Sequence, residues 1–205
     1  MKLYLVRHGA VTPKKEGVFY GGTEVPLSDF GIMQAQAAGV FLSELPIQSV
    51  LASPLARAQF GAQCLLASRK GMLLQTREDF MEIDRGRWVG LRGDEVRELF
   101  PGDLEAHQAD LEGWRGHGGE SLGALRDRVL RAIYALESEF SSDAAVAIVC
   151  HMFPVKAVFA AALGLELSQW ADQSVPTGSV SEFQLEAGVL RYLRGPICPP
   201  LLVVP

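Results

Sequence analysis

Cysteine is scarce: Cys64, Cys150 and Cys198 are an odd, scattered trio in 205 residues, with no CxxC pair. Neither a disulfide framework nor a zinc site is expected from them, and reduced thiols are. No apolar stretch reaches the ~20 residues that cross a bilayer. The apolar stretch between Lys2 and Arg7 is also too short for the core of a secretory signal. A cytoplasmic location and no membrane partner are the expectation. Dense Lys/Arg runs are missing too, and 19 basic against 24 acidic residues leave a formal net charge of −5. Nucleic acid is therefore not an expected partner. No internal repeat, low-complexity tract or linker divides the chain, so residues 1–205 are expected to form a single domain with a sizeable core.

What is present is an ordinary globular composition, 48% hydrophobic and 21% charged, which sets aside disordered, collagen-like and coiled-coil classes. Short apolar runs alternate with helical patterns, as in a sheet covered on both faces by helices. Leu3–Val6, Ser49–Ser53 and Ala144–Cys150 read as strands, the last continuously apolar as for a strand buried on both sides. A hairpin is expected around Ala187 and Gly188. Ser28 reads as the N-cap of a helix carrying Ala35, Ala38, Leu42 and Leu45. After Ser121, the positions Leu122, Leu125, Val129, Ile133, Leu136 and Phe140 form one apolar stripe, which is core. Two segments, Pro13 to Pro26 and Phe80 to Gly119, lack clear periodicity and read as lids or binding loops.

In open α/β sheets, ligands bind beyond the carboxyl ends of the strands. The first strand ends in Arg7-His8-Gly9 and the most apolar one in His151, with Pro154 placed to open a helix. The run Ser49–Ser53 leads into Pro54, Leu55, Ala56 and Arg57, which puts Arg57 in the first turn of the next helix. If these strands are parallel neighbours, two histidines and two arginines converge. Two guanidinium forks match the oxygens of a phosphoryl dianion. A neutral imidazole held among cations stays unprotonated and nucleophilic, which suits His8 to attack phosphorus while Arg7, Arg57 and His151 stabilise the transferring group. No metal is needed for that chemistry. The leaving oxygen needs a proton, and Glu82 and Asp84 are equal candidates on the residues alone.

Each residue also has a plainer reading. A histidine at a strand end is commonly structural, Arg57 alone could lie on a surface helix face, and Glu82 and Asp84 could be solvated loop acids. His107 and His117 read as surface residues, and Gly118 to Ser121 as a turn and helix cap. The coincidence of four such residues at three strand ends argues against the plain reading.

Taken in order, LYLVRHG, YGGTEVPLSDFG, SVLASPLARA, MEIDRGRWVG, GGESLGALRDRV and AIVCH resemble the motifs of the histidine phosphatase superfamily, the phosphoglycerate-mutase-like enzymes. The resemblance runs from Lys2 to about His151. It implies an α/β fold, a three-layer α/β/α sandwich with a mainly parallel sheet, and no cofactor. It implies that His8 is the histidine phosphorylated, that Arg7 and Arg57 clamp the phosphate, that His151 is the second pocket histidine, and that Glu82 rather than Asp84 is the acid. Gly21, Gly22 and Thr23 fall on the loop that helps bind the rest of the substrate. Three departures stand out: Met152 where glycine follows the second histidine, Val89 where an acid is frequent, and no threonine two places after Gly9, with Thr12 as a substitute. Met152 is expected to narrow the phosphate pocket or displace its loop.

The implied activity is hydrolysis of a small-molecule phosphate ester through a phosphohistidine, with alpha-ribazole 5'-phosphate or a sugar phosphate as substrate. The interval from Glu82 to His151 is short for a mutase, which remains the alternative, beside a non-catalytic phosphate-binding member. Nothing in the sequence decides between monomer and homodimer, and the apolar tail from Ile197 to Pro205 suits packing on the body or on a partner.

Overall fold

A computed structural model describes residues 1–13 and 15–201. Six strands, β1 (Lys2–Arg7), β2 (Ser49–Ala52), β3 (Leu74–Thr76), β4 (Ala145–Cys150), β5 (Val180–Glu186) and β6 (Val189–Ile197), form one sheet in the order β3-β2-β4-β1-β5-β6. The first four in that order are parallel to one another, whereas β5 and β6 run antiparallel as a hairpin at one edge. The three strands read from apolar runs are all present. The short β3 was not anticipated, and its three residues are only half-buried or exposed.

Alternate side chains of each strand enter opposite cores, as the period of two requires. Leu3, Leu5, Val146 and Ile148 pack beneath α5 (Leu122–Glu139) and α6 (Met152–Leu163). Tyr4, Val6, Ala147 and Val149 pack with α1 (Asp29–Ser43) and α2 (Ala56–Leu66) on the other face. The result is the three-layer α/β/α sandwich. Ser28 caps α1 by accepting from Gly31 N–H at 3.0 Å, and Ser121 caps α5 by accepting from Ala124 N–H at 3.2 Å. The α5 stripe from Leu122 to Leu136 is fully buried, and Phe140 terminates the helix.

The second irregular segment holds more structure than its sequence suggests: two helices, α3 (Gly93–Leu99) and α4 (Asp103–Ala109), and 3-10 turns at Glu78–Phe80 and Gly86–Trp88. Isolated bridges join it to the first, Val18 to Arg92 and Phe19 to Val89, so the two segments cover the same end of the sheet together. His107 and His117 are not surface residues. His117 is buried and His107 half-buried, because both stack edge-on to Trp88, at ring distances of 4.7 and 5.5 Å. Among the described residues no helix is long and apolar enough to cross a membrane. Of the apolar tail, residues 202–205 lie outside the described residues.

Candidate active site

The register of the central pair positions the site. Arg7 lies opposite Cys150 in the parallel pairing of β1 with β4, so the next residues, His8 and His151, emerge side by side. Their rings are 5.0 Å apart and edge to face. On the other side of β4, β2 ends at Ala52 opposite Val149, and Ser53 N–H donates to Val149 O at 3.0 Å. The turn after Ser53 then launches α2 with Arg57 as its second residue. Three parallel strands thus deliver both histidines and both arginines to one end of the sheet.

Each side chain is held in a defined way. His8 Nδ1–H donates to Gly9 O at 2.7 Å, which leaves Nε2 as the nitrogen with a free lone pair. Arg7 donates to Val175 O, and Arg57 donates to Thr23 O at 2.6 Å and to Gly21 O at 2.9 Å. His151 Nε2 and Ser53 Oγ share a hydrogen bond of 2.8 Å. After these bonds, Arg7 Nε, Arg57 Nε and His151 Nδ1 are buried with no partner among the described residues. Buried polar atoms are seldom left so, and three from separate elements at one place fit an anion.

Electrostatics agree with that arrangement. Burial, then the Arg57 and Arg7 cations, push the His8 pKa down to about 3. His151 is held well below the usual imidazole value, first by burial and then by His8 and the two arginines. Both rings are therefore neutral at physiological pH. Burial raises the Glu82 carboxyl, against the pull of Arg85 and Arg7. Glu82 Oε1 accepts from Ile83 N–H at 3.0 Å and from Phe153 N–H in the first turn of α6 at 3.2 Å. Both bonds fall on one oxygen, so Oε2 is free to carry a proton.

Glu82 forms a wall common to two clefts. One of about 270 Å³ runs past Arg7, Tyr20, Arg85 and Met152, and one of about 740 Å³ past Gly22, Thr23 and Asp84. Asp84 is exposed, and its Oδ1 accepts from Gly86 N–H at 2.8 Å, closing a turn. Gly21 and Thr23 contribute carbonyls that hold Arg57, while Gly22 and Thr23 line the larger cleft.

Residues 3–194 match the Histidine phosphatase superfamily (branch 1). The chain belongs to that superfamily. It is 31% identical over 168 residues to the adenosylcobalamin/alpha-ribazole phosphatase of Escherichia coli (strain K12), covering 80% of each chain. It is 29% identical over 191 residues to phosphoserine phosphatase 1 of Hydrogenobacter thermophilus, covering 91% of this chain and 87% of that protein. The crystal structure of the alpha-ribazole phosphatase from Shigella flexneri matches with a TM-score of 0.84 at 25% identity, over 94% of this chain and 95% of that one. Within this superfamily chain, Met152 begins α6 and lines the smaller cleft next to Arg7. Two residues with a place in the site were missed from sequence. Ser53, which supports His151, follows its strand directly and could have been found by that position. Arg85 gave no signal, because burial and its aromatic neighbours are set by the tertiary fold.

Proposed function

We propose that the protein hydrolyses small-molecule phosphate monoesters through a phosphohistidine at His8. Nε2 of His8 attacks phosphorus, the bond from phosphorus to the ester oxygen breaks, and Glu82 Oε2 gives its proton to the departing alkoxide. Arg7, Arg57 and His151 hold the three phosphoryl oxygens while charge spreads over them, and the N-terminus of α6 adds its positive end. In the second half, Glu82 as carboxylate takes a proton from water, water oxygen attacks phosphorus, and the bond to Nε2 breaks to release inorganic phosphate. The observation that carries this reading is the set of three buried nitrogens without partners beside a neutral imidazole whose Nε2 is free. No step needs a metal. Within the substrate class, likeness to the alpha-ribazole phosphatases supports alpha-ribazole 5'-phosphate, with sugar phosphates as the other narrower candidates.

The test is phosphate release from p-nitrophenyl phosphate in excess chelator. Turnover is expected with the native chain and none above background with His8→Ala, whose circular dichroism should be unchanged. Turnover that survives in a folded His8→Ala variant removes the phosphohistidine.

A further inference from the structure

Arg85 is nine-tenths buried, yet its guanidinium makes no hydrogen bond and no ion pair with any described residue. A cation in that position is unfavourable unless something pairs with it, and Glu82, the acid whose charge acts on it, makes no ion pair with it. Its carbon lies 4.8 Å from the centroid of Phe153 and 5.5 Å from that of Phe19, with the guanidinium over both rings. The two rings offer no acceptor, so the N–H edge remains as the place for a partner. Arg85 lines the cleft of about 270 Å³ that also has Arg7 and Glu82 as walls, which puts the cleft directly beside the phosphoryl site.

We propose that Arg85 determines substrate choice by receiving a carboxylate that the substrate carries a few bonds from its phosphate ester. This rests on the phosphomonoesterase reading and narrows it to small phosphorylated carboxylic acids. A planar carboxylate matches the edge of a stacked guanidinium with two parallel hydrogen bonds. The cleft of about 270 Å³ has room for the short carbon chain of a three- or four-carbon acid. Val18, Phe19, Met152 and Phe153 in the same lining supply apolar contact for a short carbon chain.

The experiment compares 3-phosphoglycerate with glycerol 3-phosphate, which differ in a carboxylate against a hydroxymethyl group, on native protein, Arg85→Met and Arg85→Lys. Native kcat/KM is expected to favour 3-phosphoglycerate at least tenfold. That ratio should fall at least tenfold in Arg85→Met, chiefly through KM, and be partly restored in Arg85→Lys. A bisphosphate such as fructose 1,6-bisphosphate is expected to gain nothing over fructose 6-phosphate. Calorimetric binding of the two three-carbon esters gives a readout whether or not the protein turns over. If p-nitrophenyl phosphate is not hydrolysed, the phosphatase reading fails while selective binding still supports the Arg85 subsite. A native ratio near one, a ratio unchanged in a folded Arg85→Met variant, or preference for the bisphosphate alone overturns the proposal. A merely structural role for Arg85 would lower both esters alike and leave the ratio where it was.

Discussion

Glu82 and Asp84 stand two residues apart in one loop, and sequence gives no physical ground to rank them. Their surroundings separate them. Glu82 is buried with its carboxyl pushed up, so it keeps a proton at pH values where an ordinary carboxylate has lost it. The exposed Asp84 closes a turn. Glu82→Gln is therefore expected to lower kcat/KM, which reports transfer to His8 and not the later hydrolysis that Glu82 also serves, by about a hundredfold or more for an alkyl phosphate, the lower range for general acid catalysis, and by less than tenfold for nitrophenyl phosphate, because nitrophenolate leaves with little help. Equal losses on the two substrates would remove the proton from Glu82. The same assignment gives a pH profile. His8 stays neutral down to about pH 3, so kcat/KM should show no acid limb from its titration near 6.5. The fall should come on the alkaline side, through the raised Glu82 pKa, and should vanish in Glu82→Gln. Residues at strand ends were legible because topology alone fixes where they point, whereas Arg85 was not, since only folding brings Phe19 and Phe153 onto it.

At the scale of elements, legibility followed burial. The runs behind β1, β2 and β4 are apolar because helices cover both their faces, and that leaves a continuous trace in the sequence. The short α4 buries no residue, and α3 buries only Val96, so neither imposes a period on its sequence. Close approach of elements leaves a different trace, in glycine. Gly31 opens α1 against the turn after β1, and a Cβ placed there would stand 1.9 Å from Ala10 O. Replacing glycine by alanine inside a helix ordinarily stabilises it by about 1 kcal/mol. Here the sign is inverted, because the overlap with a backbone oxygen forces the helix off the β1 turn at the cost of overpacking, about 1–3 kcal/mol. For a chain of this size that corresponds to a loss of about 2–12 °C in Tm. Gly31→Ala should show it by scanning calorimetry, and an unchanged or higher Tm would mean that α1 does not sit where the capping by Ser28 puts it.

Across the whole molecule, all four histidines are held below their ordinary pKa, each chiefly by burial: His8 to about 3, His107 to about 4, and His117 and His151 downward. Two serve the candidate site and two pack with Trp88 and Trp114 beneath the covering segments, where sequence offered no reason to bury them. An imidazole with a folded pKa below its unfolded value near 6.5 binds its proton more readily when unfolded. Stability from such groups is complete above pH 6.5 and is lost as pH falls toward 3. Glu82 acts in the opposite sense, since its folded carboxyl holds a proton above 4.5 that the unfolded chain releases. One carboxyl does not offset four imidazoles, and Asp103, lowered by Arg87 and Trp88 against its burial, adds to the loss in acid. His8 and His151 alone, once both are fully titrated in the unfolded chain, set a slope of ~2.7 kcal/mol per pH unit. Unfolding by denaturant should therefore show stability falling steeply between pH 6 and pH 4, with a shallower slope in His8→Ala. A flat profile over that interval would mean that the paired imidazoles are not buried and neutral, and the free lone pair on which the phosphoryl chemistry depends would go with them.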